Sequence, residues 1–477
     1  MKQPTRNKKL AILMMAILLL TMSTSGCGSS QDTTPEIDAA FIANPDRSLF
    51  YGETLTIATT FGGFDGALSP FQYLTRMYMD TNPGVTIEVI NLWSYTQDVD
   101  RFANKRDELG VQLMAGSAPV LICGMFVDYR DLRLAHFFAD WFPIMDADPN
   151  FNEDDWFMNV FHASAIHDRL LAFPMRFDYE MVVANSTIPG LSETLAAQDS
   201  ITLSELMKLH REMSTDSSFF LEPFFSVDQV VQFYLDSFLD FDTGLVDFDN
   251  EQFIDMITYA GEITSPNFEM SARGTHAAWW IDPEIEAYRS ENYFFSFADM
   301  YQYLPHLESG PLFTEQTPLV NERGELLVDI SGSTYVLNAN ASPIEQALAW
   351  DFIQFSMNPD ILGAAARSLH PFHMYPVNRH LFHQGASSAI TIWIATVREE
   401  FGWPLPGTID ESVEYVRART DTLGDMPMAS TRTLPFAVEN IIDEALELFQ
   451  NGLVSAEQTA ADLQNRVTLV LMEMGIN

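Results

Sequence analysis

The chain has 477 residues, 47% of them hydrophobic and 19% charged, enough for roughly two or three folded domains. Its formal net charge of −41 argues against nucleic acid, whose phosphates need concentrated Lys and Arg, and against direct adhesion to an anionic membrane face. The two cysteines, Cys27 and Cys123, leave no disulfide framework once Cys27 is committed elsewhere.

The N-terminus reads as a signal peptide over residues 1–26. Lys2, Arg6, Lys8 and Lys9 precede an uncharged apolar run from Leu10 to Leu20, too short to span a bilayer comfortably. The run ends in Thr24-Ser25-Gly26-Cys27, which resembles a bacterial lipobox with Thr24 in place of the usual Leu. That resemblance implies cleavage before Cys27 and lipidation of its thiol, at the outer face of the cytoplasmic membrane. Residues 27–51 are polar with scattered Pro, and read as a lipidated tether from which a few apolar residues could dock. Cys123, in an apolar run, is expected in the core.

From Thr54 the pattern is α/β. Strands are expected at Thr54–Thr60, Val85–Trp93 and Pro119–Cys123, and helices at Pro70–Met79 and Thr96–Met114. The alternation implies a mainly parallel sheet flanked by helices, with Phe61–Phe64, Trp93 and Gly124–Asp128 on the rim at its carboxyl ends. Asp146-Ala-Asp148-Pro-Asn150 has the opening of a calcium loop. Phe151 and Phe157 stand where that loop needs Gly and Glu, so a surface loop is expected.

Leu171–Asn185 has two apolar ends around Arg176, Asp178 and Glu180. Pro174 cannot donate to a sheet, so a strand must break or lie at an edge there. A chain that leaves one sheet, shows polar side chains and enters another is a crossing between lobes, where ligands bind. An edge strand with a solvated face is the alternative. Further on, Thr202-Leu-Ser-Glu205 has capping-box spacing for a helix through Met213. Phe253–Ile263 and Pro343–Phe355 read as helices, Val328–Leu337 as a strand interrupted at Gly332-Ser333, and Ser455–Glu473 as a long closing helix. His370, His373, His380 and His383 cluster, but Pro371 and Pro376 break any helix that would align them on a metal. They are read as turn and surface residues.

Several stretches together resemble extracellular solute-binding protein family 1, the substrate-capturing lipoproteins of ABC importers, often for sugars. They are Tyr78-Met-Asp-Thr-Asn-Pro-Gly-Val, Leu113-Met-Ala-Gly-Ser-Ala-Pro, Asp168-Arg-Leu-Leu-Ala-Phe-Pro with Asn185, Arg273-Gly-Thr-His-Ala-Ala, Ala347-Leu-Ala-Trp-Asp-Phe-Ile-Gln-Phe, Tyr375-Pro-Val-Asn and Glu457-Gln-Thr-Ala-Ala-Asp-Leu-Gln-Asn-Arg. Val120 departs from the Asp that many relatives carry after Pro, and Asp168 from a usual Gly. The resemblance implies a two-lobe, periplasmic-binding-protein-like α/β fold with hinge crossings. Lobe one would be 52–177 with 325–372, and lobe two 178–324 with 373–477. It also implies an ABC permease as partner, with no cofactor and no catalysis.

Sugar rings pack apolar faces on flat aromatics, and their hydroxyls pair with carboxylates and rigid donors. The candidate platforms are therefore Phe61, Trp93, Tyr179 and Trp280, with Phe436 after Pro435 as a further aromatic. The candidate polar contacts are Asp128, Arg176, Asp178, Asp282 and Ser333. The ligand is expected to be a carbohydrate, with a peptide or another organic solute open. No nucleophile elbow, phosphate loop, zinc-protease motif or dinucleotide glycine pattern is found. The alternatives are an anchored carbohydrate-active enzyme, whose paired carboxylates meet only in space, and a lipoprotein presenting its ligand to a sensor.

Overall fold

A computed structural model of the chain describes residues 37–59, 70–92, 99–179, 181–185, 187–213, 219–221, 227–241, 243–263, 293–298, 313–330, 334–359, 361, 375–384, 422–430 and 434–476. Strand Thr54–Thr59 alternates its apolar residues between two buried faces and pairs in parallel with Thr86–Asn91 and Leu121–Cys123. Thr334–Leu337 and Ala172–Pro174 complete this first sheet, each antiparallel to its neighbour. The expected α/β alternation is present, but the sheet is mixed. The antiparallel strands belong to the segments that enter and leave this part of the molecule.

Leu55, Ile57, Tyr335 and Leu337 point into one core, whereas Ala58, Ile122 and Val336 point into another on the opposite face. The first is rich in aromatics: Trp141, Phe161, Phe173 and Trp350 are each essentially buried, and the rings of Phe161 and Phe173 lie 5.1 Å apart. Most of the chain's aromatic content here therefore serves packing. Asp148, from the stretch resembling a calcium loop, is buried under this core. Its carboxylate accepts from Trp350 Nε1 at 2.8 Å, from Gln354 Nε2 and from the Asn150 amide at 2.8 Å. Its role is to satisfy buried donors.

A second core gathers Val182, Leu206, Val230, Phe253, Ile257, Val438, Ile442, Leu463 and Val467. Its sheet runs, in order, through 375–376, Arg176–Tyr179, Leu326–Asp329, Phe313–Val320, Met181–Asn185, Tyr293–Ala298 and Phe219–Leu221. Short strands Ile201–Thr202 and Met428–Ser430 pair alongside. Helices Leu203–Met213, Glu251–Ile263, Phe436–Gln450 and Ala456–Glu473 contribute to this core. The capping box at Thr202 is formed, with the Glu205 carboxylate accepting from the Thr202 amide at 2.9 Å. Ser342–Glu345 and Ser455–Gln458 cap helices Pro343–Ser356 and Ala456–Glu473 in the same way.

Residues 38–51, expected within the tether, dock along their length. Asp38 caps helix Ala39–Ala43, and Asp46 caps a short turn at Arg47–Phe50. Ile42 and Phe50 are buried in the first core, and the Arg47 guanidinium and Tyr78 hydroxyl both donate to Asp351 at 2.6 Å. Residues 375–384, grouped with the second lobe from sequence, pack into the first core through Val377, Leu381 and Phe382. The reason is local: the Phe157 amide donates to the Val377 carbonyl at 2.9 Å, tying this segment to first-core elements.

Candidate functional site between the two cores

The crossing is built from consecutive strands. Ala172–Pro174 ends in the first sheet, and Arg176–Tyr179 begins in the second two residues later. Pro174 has no N–H to continue the ladder, which is where the chain changes sheets. The return path lies beside it. Thr334 faces Pro174 in the first sheet, and Asp329 faces Asp178 in the second, both in antiparallel register. Val328–Leu337, expected as one interrupted strand, is thus two strands in different sheets. A third segment, Tyr375–Pro376, pairs with the other edge of Arg176–Tyr179, and the Val377 amide donates to the Met175 carbonyl at 3.2 Å.

Arg176 is half-buried, and its positive charge acts on the Tyr335 hydroxyl. That hydroxyl is 3.0 Å from Thr59 Oγ1 at the carboxyl end of its strand, and the Tyr335 ring stacks on Phe71 at 6.3 Å. Burial, followed by the neighbouring Cys123, pushes the Tyr335 hydroxyl well above the usual tyrosine range, so it stays a donor. Asp178 is half-buried on the same crossing strand, and one of its oxygens accepts from the Tyr179 amide at 2.9 Å. Tyr179 itself is only 1% exposed, and its ring stacks with Phe177 at 6.5 Å inside the first core. It presents no open ring face.

Asp128 and Phe436 are brought together. Asp128 Oδ2 accepts from the Phe436 amide at 2.9 Å, at the first turn of helix Phe436–Gln450. Such a carboxylate complements the helix N-terminus. Burial pushes the Asp128 carboxyl up to about 6, against the lowering effect of the Phe436 amide. Around this contact the Arg106 guanidinium lies 3.2 Å from the Phe436 ring centre, and Arg130 Nη1 donates to the Leu434 carbonyl at 3.3 Å. Arg130 also pairs with Glu439 at 3.5 Å.

Phe61, Trp93, Trp280, Asp282 and Ser333, together with Cys27, lie outside the described residues. Sequence reasoning missed Tyr335, Thr59, Arg106, Arg130 and Glu439. Thr59 and Arg130 could have been found, since they adjoin the expected rim at Phe61 and Asp128. Tyr335 could not, because nothing in the sequence of Val328–Leu337 shows which side chains its return beside Leu121–Cys123 brings to Thr59. Of the clustered histidines, His370 and His373 lie outside the described residues, while His380 pairs with Asp155 at 2.9 Å. Among the described residues no group of three metal-ligating side chains comes together, and no helix is long and apolar enough to cross a membrane.

No family model matches the chain, and no curated protein does. Solved structures do. The sugar-binding protein MalE from the phytopathogen Xanthomonas citri matches with a TM-score of 0.57 at 14% identity, covering 88% of this chain and 98% of that one. An ABC solute-binding protein from Agrobacterium radiobacter, in complex with ribitol, matches at 0.53 and 13%, covering 88% and 99%. An ABC substrate-binding protein from Listeria monocytogenes, in complex with cycloalternan, matches at 0.52 and 11%, covering 89% and 99%. With a likeness that runs through nearly all of each chain, this protein has the two-lobe, periplasmic-binding-protein-like fold of the ABC sugar-binding proteins.

Proposed function

We propose that the protein is a lipid-anchored extracellular solute-binding protein that captures a carbohydrate or polyol between its lobes and delivers it to an ABC permease. One observation carries the reading: two antiparallel strand pairs, Thr334 with Pro174 in the first sheet and Asp329 with Asp178 in the second, carry the chain from sheet to sheet at Arg176 and Asp178. Strands that cross side by side let two bodies rotate without breaking either core. The polar inventory fits hydroxyl recognition, with Arg176 as donor and Asp178 as acceptor. The solved structures of this fold named above, bound to ribitol and to cycloalternan, support a polyhydroxylated ligand and leave its size to experiment.

The mechanism is conformational. The open form admits the ligand, and closure replaces its water shell by fixed donors and acceptors. No bond of the ligand is made or broken. A thermal-shift screen of the mature chain against polyols, monosaccharides and oligosaccharides tests this, because a binder of the folded state raises the melting temperature. A saturable rise with one class, the ligand recovered intact after long incubation, is expected. Steady release of cleaved sugar would replace the carrier by an anchored enzyme. The anchor has its own test: Cys27→Ser should release the protein from membranes or leave it unprocessed, and unchanged membrane retention would remove the lipid.

A further inference from the structure

The contact between Asp128 and the Phe436 amide joins elements that belong to different bodies. Asp128 follows strand Leu121–Cys123 of the first sheet, and Tyr129 packs behind that sheet. Leu434 and Val438, on either side of Phe436, belong to the second core. The joint is largely buried yet electrostatically incomplete. Asp128 Oδ1 and Arg130 Nε are both buried with no hydrogen-bond partner. Charged groups face Asp128 from every side: Arg130, Asp131 and Arg133 from its own loop, Arg106 from helix Val99–Met114, and Glu439 from helix Phe436–Gln450. Asp131 is itself held by Arg133 at 2.6 Å.

We propose that Asp128, Arg130 and the turn from Leu434 to Glu439 form an inter-lobe clasp that tightens when Asp128 takes up a proton. The sign follows from linkage. A carboxyl that is buried only while the lobes are joined binds its proton more tightly in the joined state, so acid favours joining. Burial raises Asp128 from its ordinary value of 3.8 to about 6. The stabilisation of the joined state is fully present below the ordinary value and is lost as pH rises through about 6. A shift of that size changes the joined-to-parted ratio by roughly tenfold to a hundredfold. Protonation does not cost the hydrogen bond to Phe436, because the remaining carbonyl oxygen still accepts it. Asp128→Asn keeps an acceptor and removes the charge, and therefore mimics the protonated clasp.

The inference rests on the two-lobe reading but on neither the lipid nor the ligand, so it is tested without either. Spin labels at Met114→Cys and Leu453→Cys, both exposed and one on each side of the joint, report the inter-lobe distance in the full chain carrying Cys27→Ser; Cys123 is buried. Between about pH 8 and about pH 5 the distance distribution should move toward a single joined population. Asp128→Asn should hold that population throughout, and Glu439→Gln should leave the transition in place. Phe436→Pro, tolerated at a first helical position but lacking the N–H, should reduce the joined fraction at every pH, whereas Phe436→Leu, which keeps the N–H, should reduce it less. A distribution that does not change with pH overturns the proposal. So does a transition that survives Asp128→Asn or vanishes with Glu439→Gln. If Asp128→Asn does not fold, the two Phe436 variants decide, and equal behaviour of both overturns it. Loss of sugar binding in the screen above would leave these outcomes unaffected.

Discussion

At the scale of single residues, Asp178 is the most exacting test of the crossing. Removing a charged acceptor leaves a ligand donor unpaired in a closed cleft, typically costing about 1.5–3 kcal/mol. Asp178→Ala should therefore weaken ligand binding roughly tenfold to a hundredfold while the ligand-free melting curve hardly moves. Calorimetry beside a melting curve checks this. A folded variant of unchanged affinity removes Asp178 from the site, and a fall in melting with affinity intact makes it a hinge residue. A second test concerns His167 and Asp168, which have φ values of 47° and 60° in the tight turn closed between Ile166 and Arg169. The pattern is that of a hairpin turn favouring Asn-Gly, and it explains why a Gly would suit position 168. Asp tolerates the left-handed region but not freely, so Asp168→Gly should stabilise the protein by about 1 kcal/mol, visible as a higher Tm. Arg176, Asp178 and Asp128 were legible as polar residues at breaks in apolar runs. Tyr179 was not, because a tyrosine beside two acids looks the same in sequence whether its ring faces a cleft or Phe177.

At the scale of elements, boundaries set by side-chain chemistry were legible and those set by distant pairing were not. The helices beginning after Thr202, Ser342 and Ser455 start where a hydroxyl and a Glu or Gln lie three residues apart. Val328–Leu337 shows the limit. Gly332-Ser333 signals an interruption, but only the pairing of Leu326–Asp329 with Arg176–Tyr179 and of Thr334–Leu337 with Leu121–Cys123 shows that two sheets are involved. Docking of the N-terminal segment was legible in its few apolar residues but its helix was not, since five helical residues carry too little periodicity to register. Its packing is nonetheless substantial. Ile42 is fully buried, so Ile42→Ala should destabilise the first lobe by about 2–5 kcal/mol. Chemical denaturation of the mature chain measures it. A loss below about 0.5 kcal/mol, the usual size for a surface change, would mean the segment is not held.

At the scale of the whole molecule, the mixed sheets, the cores and the large negative charge act together. A net charge of −41 works against compactness by self-repulsion, although it keeps the protein soluble. Sodium chloride near 1 M, where the screening length is about 3 Å, should therefore raise the melting temperature. A fall on adding salt would show that ion pairs such as Arg47–Asp351 outweigh the repulsion. The two-lobe plan was legible in the break at Pro174 between two apolar runs and in the family resemblance, whose stretches recur in order along the chain. The mixture of parallel and antiparallel strands was not, because strand direction depends on which distant segment returns alongside.

That return has a consequence for biogenesis. The first sheet cannot close when its own first strands emerge from the ribosome, because Thr334–Leu337 must slot between Leu121–Cys123 and Ala172–Pro174. Until then two strand edges stand open, the condition in which nascent chains aggregate or are held by chaperones. A chain stalled before residue 334 should be degraded by protease throughout its length, including Thr54–Thr59. One stalled after Ser356, once the strand and its capped helix are both made, should yield a resistant first-lobe fragment. The chain would then stay unfolded through most of its synthesis, with closure of the first sheet as the late, committing step.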